Sequence, residues 1–182
     1  MKTFMRTLLL VAVAFATVCM SPSAISPSTI FSSAMSPSAS QWIQIRTAYR
    51  TSLSNNNHLT HFESLCKSHS QTDALAKAYY ATALALRARA SISPPSKLSL
   101  ANQAESLMNT AASAQPQNLE IRFLRYSFEY GTPSVLNMKK NMTQDKPMAI
   151  KFAKSQSAIK DIAVKFFQQC TEISDAEKRE IK

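Results

Sequence analysis

The stretch QPQNLEIRFLRYSFEYG, residues 115–131, decides the fold: it opens beside a helix breaker, Pro116, ends on the chain's single glycine, and sets two arginines inside an apolar run. On a helical wheel of ~100° per residue, Ile121, Leu124 and Phe128 gather on one side, and Phe123, Tyr126 and Tyr130 on the nearly opposite side. A helix that is apolar on two faces must lie between other helices, as in the interior of a stacked helical array. Arg122, Arg125 and Glu129 share the strip between those faces, with Arg125 and Glu129 one helical turn apart. We expect the arginine stems to cover the core and the guanidinium groups to pair with carboxylates, which holds helix register. The alternative is an exposed double-arginine clamp for a carboxylate or phosphate.

The flanking sequence extends the helical reading. QWIQIRTAYRTSL places Trp42, Ile45, Tyr49 and Leu53 on one face, before a break at Asn55, Asn56 and Asn57. Thr60 and Glu63 have capping-box spacing, and the helix they would open carries Phe62, Leu65 and Cys66 inward. DALAKAYYATALALRARA, capped by Thr72 or Asp73, is alanine-rich enough for close helix approach, and Pro94 and Pro95 end it. A fourth helix is expected over 97–115, and Gly131 as the C-cap of the quoted helix, followed by a short helix with Pro133 in its first turn. Two more are expected over 147–155 and 158–170, the second with Ile159, Ile162, Ala163, Phe166 and Cys170 on one stripe. Ser174 and Glu177 then open a short charged helix by a capping box.

Ala104, Met108, Ala111 and Pro116 resemble the second helix of a tetratricopeptide repeat, where small residues let helices pack and a proline ends the unit. The likeness covers that half-repeat. SISPPSKLS before it is too long a connection, and no period of about 34 recurs. The sequence thus predicts an all-α protein of about six to eight helices, packed as antiparallel hairpins in one tetratricopeptide-like, α-solenoid-like domain. A second, narrower set, Asn118 and Glu120 to Arg125, then Pro133 and Leu136, then Asp145 and Lys146, resembles an uncharacterised family of short exported helical proteins of Bacteroidota, over about residues 79–152. The resemblance implies a bacterial, exported, helical protein and brings no activity with it. It also suggests that Arg122 or Arg125 meets Asp145.

Composition bounds the function. Hydrophobic residues at 45% supply a core, while Gly 1 excludes the glycine-rich phosphate loops, hydrolase elbows and EF-hand loops that need φ > 0 or close backbone approach. Residues 1–20 read as a signal peptide: Lys2 and Arg6, an apolar run from Leu8, then Ala14-Phe15-Ala16. That run is shorter than the ~20 residues of a membrane span, and no later segment could cross a bilayer. Cys19 stands where a lipoprotein carries its lipidated cysteine, but Val18 occupies a small-residue position, so export to the periplasm or beyond is expected and lipidation is the lesser alternative. Residues 21–40, with three Ser-Pro-Ser units and no charge, read as a flexible spacer, leaving 41–182 as the helical domain.

The remaining chemistry is sparse. Cys66 and Cys170 either pair as a disulfide in an oxidising compartment or stay as two separate buried thiols. His58, His61 and His69 lack the spacing of a metal site, and no arrangement of carboxylates, serine, cysteine and histidine marks a catalytic set. Lys139, Lys140, Lys146, Lys151, Lys154, Lys160 and Lys165 could form a basic face, but without interleaved aromatics it does not suit nucleic acid. We therefore expect a non-catalytic, cofactor-free interaction or structural module of the cell envelope with a protein partner. The alternative is a binder of an anionic small ligand, membrane or glycan through Arg122, Arg125 and the lysine face.

Overall fold

Each helix begins where the chain can satisfy its first amides. In the computed structural model, which describes residues 36–181, α1 (Ala39–Ser54) starts at a capping box between Ser38 and Gln41, inside the serine-proline stretch assigned to the spacer. The export segment, Cys19 and the spacer through residue 35 lie outside the described residues. A 3-10 turn (Asn56–His58), capped by Asn55, leads into α2 (Leu59–His69), so the expected Thr60–Glu63 box gives way to a helix already under way at Leu59. In α3 (Ala74–Ala90), the Asp73 side chain accepts from the Ala76 amide.

Two proline expectations are corrected. α3 ends at Ala90, ahead of the prolines as expected, but the fourth helix does not wait until 97: Pro94 and Pro95 are the first residues of α4 (Pro94–Ala114), where a missing N–H would have had no helical acceptor anyway. Pro147 lies inside α6 (Met142–Lys154), which starts a full turn earlier than its local sequence predicts. The buried side chain of Asp145 anchors that first turn through tertiary contacts, and these outweigh the proline's local preference.

α5 (Leu119–Gly131), capped by Asn118, is the interior helix the sequence calls for, with Ile121, Phe123, Leu124 and Tyr126 all buried. It packs against α3, α4 and α6, and Phe123 stacks on Phe152 at 5.2 Å. Gly131 is its last helical residue with ordinary negative φ, and Thr132 caps the helix; among the described residues the left-handed one is Asn137, at φ 52 after a 3-10 turn (Ser134–Leu136). A Cβ at position 131 would meet nothing within 4 Å. Gly131→Ala should therefore stabilise the domain by about 0.4–1 kcal/mol, read as a rise in Tm of about 1–4 °C; a fall would mean this backbone is not helical in solution.

α7 (Lys160–Gln169) buries Ala163 and Phe167, and its cap residues Ile159 and Cys170 are buried with them. The expected stripe is rotated: Phe167, not Phe166, faces the core, and Ile162 and Phe166 are half-buried beside it. The predicted box at Ser174 and Glu177 forms and opens α8 (Asp175–Glu180), and hydrogen bonds from Ser174 pull the Glu177 carboxyl down to about 2. Among the described residues the protein is all-helical, eight α-helices folded as one domain, and no helix is long and apolar enough to cross a membrane.

Candidate functional site

The residues singled out from the sequence meet in one buried polar network. Asp145, fully buried, accepts from Arg122 Nη1 at 2.7 Å and from Arg125 Nε and Nη2 at 2.6 and 2.9 Å. Arg122 Nε also donates to the Pro116 carbonyl, and Arg125 Nη1 to Asn109 Oδ1. Glu129 does not take up its helical neighbour Arg125; its two oxygens accept from the backbone amide and the side-chain nitrogen of Asn141, at 2.8 and 2.6 Å. Asn109 Oδ1 accepts from both Arg125 and Asn141, which joins the two halves.

Two guanidinium groups and two carboxylates balance in charge, and that balance makes their shared burial tolerable. The network holds α4, α5 and α6 in register. Arg122 and Arg125 are buried and both are turned onto Asp145, so they do not form the exposed clamp for an outside anion. Asn109 and Asn141, which complete the network, were not legible in the sequence, because a bridging asparagine has no characteristic spacing.

A second hub ties α1 to α5. Glu120 accepts from Arg46 Nε and Nη2 at 3.0 and 2.8 Å and from the Tyr79 hydroxyl at 2.5 Å. Arg46 also lies 5.3 Å from the centre of the Trp42 ring. Burial, together with the Glu120 charge beside it, pushes the Tyr79 phenol well above its ordinary value.

The two cysteines are separate buried thiols, on α2 and at the end of α7, which corrects the disulfide alternative; Tyr126 Oη lies 3.9 Å from Cys170 Sγ. Burial pushes the Cys66 thiol up, away from the reactive thiolate. His58 and His61 are exposed and His69 half-buried, and among the described residues no group of three His, Cys, Asp or Glu side chains could hold a metal ion. The lysine face is interrupted by acidic groups: Lys140 pairs with Glu105, Lys146 with Glu177 and Lys154 with Glu180.

What the sequence did not show is an open apolar groove of about 1070 Å³. The end of α1, α3, α4, α5, the turn at 134–136 and α7 enclose it, with Leu86, Phe123, Leu124, Phe128, Ile162 and Phe166 among its walls. Exposed apolar residues stand at its edges: Leu53, Leu98 and Val135, the last 88% exposed. Arg50 and Asp161, both lining the groove, clasp α1 to α7 by a two-pronged ion pair, and Arg50 Nη2 also donates to the Ala158 carbonyl at 3.1 Å. The signal for this groove was the solvent-facing aliphatic residues at helix ends and in connections, whose grouping appears only after folding. Set beside known proteins, this all-helical domain matches no family model, no curated protein and no solved structure.

Proposed function

We propose that the chain is an exported, non-catalytic interaction module of the cell envelope that works through the apolar groove, receiving a segment of a partner protein. Export rests on the charged, apolar and small-residue pattern of residues 2–16, and the likeness of residues 118–146 to exported proteins of Bacteroidota supports it. Paired helices enclosing a groove also fit the tetratricopeptide-like reading of α4.

The observation that carries the proposal is the coincidence of the groove with Leu53, Leu98 and Val135, apolar side chains left in water at its edge. Hot spots of interfaces are apolar anchors held in pockets, so a charge at the lip should act strongly there. Tagged mature protein should capture a partner from its own envelope extract, and Leu98→Asp/Val135→Asp should lower that capture by about tenfold, a loss of ~1.4 kcal/mol. Ile43→Asp/Ile92→Asp, which charges two exposed apolar residues outside the groove, should leave it unchanged. Equal losses in the two variants would overturn the groove as the working surface.

A further inference from the structure

If the groove is the working surface, its chemistry narrows what can fill it. Its walls have little hydrogen bonding to offer. The hydroxyls of Ser54, Thr82, Ser127 and Thr132 each donate to a carbonyl three or four residues earlier in the chain, and the Tyr130 hydroxyl is engaged with Thr171. Of the groove's hydroxyls, only that of Tyr49 has no partner among the described residues. An extended peptide would bury a row of amides and carbonyls against these walls, and one phenol and the exposed Gln169 carboxamide are too few to satisfy them. A helix satisfies its own backbone and can present a purely apolar face.

The rim supplies the second constraint. Arg89 on α3, Lys97 on α4 and Lys165 on α7 line the groove and have no ion-pair partner among the described residues, whereas Arg50 is already held by Asp161. A ligand with one anionic head could meet one of these cations. Carboxylates spaced along the flanks of a helix could meet cations carried by three different elements. From the apolar walls, the engaged hydroxyls and the unpaired rim cations, we infer that the groove receives an amphipathic α-helix of a partner protein, apolar on its buried face and acidic along its flanks.

The test uses the full mature chain and three fluorescent probes. Two are peptides of about 18 residues, roughly five helical turns, with the same leucine and alanine face and either glutamate or lysine flanks. The third is a long-chain fatty acid. By fluorescence anisotropy near 0.1 M salt, the glutamate peptide should bind about tenfold more tightly than its lysine twin, and the difference should shrink toward ~1 M salt. Arg89→Glu/Lys97→Glu/Lys165→Glu, checked for unchanged helical content by circular dichroism, should reverse the preference. Equal affinity for the two peptides, or a preference that survives the triple reversal, would overturn the inference. If neither peptide binds while the fatty acid does, and Leu98→Asp/Val135→Asp abolishes that binding, the helix is wrong and the groove remains a binding site. If none of the three probes binds, the groove reading falls as well.

Discussion

Replacing Asp145 with alanine should destabilise the domain by about 3–5 kcal/mol, the usual cost of removing one partner from a buried ion pair. Asp145 is fully buried and receives three charge-assisted hydrogen bonds from two arginines that are themselves buried. Its loss leaves two guanidinium groups inside the protein with Glu129, already engaged by Asn141, as the remaining carboxylate of the network. The expected readout is a fall in Tm of roughly 6–20 °C, at the 2–4 °C per kcal/mol typical of this chain length. A shift within about 2 °C would mean that the network does not form in solution.

A double-mutant cycle separates the ion pair from simple side-chain loss. Arg125→Ala alone removes a cation but leaves Asp145 partnered by Arg122, whereas Arg125→Ala added to Asp145→Ala removes a charge that has already lost its carboxylate. The second arginine truncation should therefore cost at least about 1 kcal/mol less in the Asp145→Ala background than in the wild-type background. Additive losses would assign the destabilisation to packing alone.

The limits of the sequence reading follow from how each signal is encoded. The two apolar faces of α5 are written in its helical period, so its interior position could be derived, and the resemblance brought Arg122, Arg125 and Asp145 together before any contact was visible. Capping at Ser38, Asp73, Asn118 and Ser174 is local chemistry, but the boxes at Ser38 and Ser174 look no different in sequence from the one at Thr60 that does not form. Whether a box is used depends on where the preceding turn has placed the chain. Pro94 and Pro95 were read as ending α3 and Pro147 as the start of a helix, because proline's penalty is local, while the helix N-terminus that takes in the first two and the anchored Asp145 that offsets the third are not. Phe166 and Phe167 are adjacent, and a rotation of α7 by one residue exchanges core for groove. The groove itself is a property of five helices and a turn, and no single segment carries its pattern.

At Glu120 the expected loss is about 2–3 kcal/mol for Glu120→Ala, smaller than at Asp145 because part of the damage can reach water. The Arg46 side chain is 25% exposed and can be hydrated when its partner goes. The Tyr79 hydroxyl has no such outlet: Tyr79 is fully buried, Glu120 is its hydrogen-bond partner, and an orphaned buried donor costs about 1–3 kcal/mol. This asymmetry makes a sharp prediction. Tyr79→Phe added to Glu120→Ala removes the orphan and should recover stability, so the double variant should unfold at a higher urea concentration than Glu120→Ala alone. If the double variant is the less stable of the two, the hydroxyl is not what Glu120 satisfies. The consequence also reaches the groove, because the Arg46–Glu120 pair docks α1 on α5, and α1 carries Tyr49, Arg50 and Leu53 into the groove wall. Glu120→Ala should therefore weaken binding of a helix in the groove although Glu120 does not line it, and Tyr79→Phe should not restore that binding, since it repairs the orphaned donor and leaves α1 without its anchor.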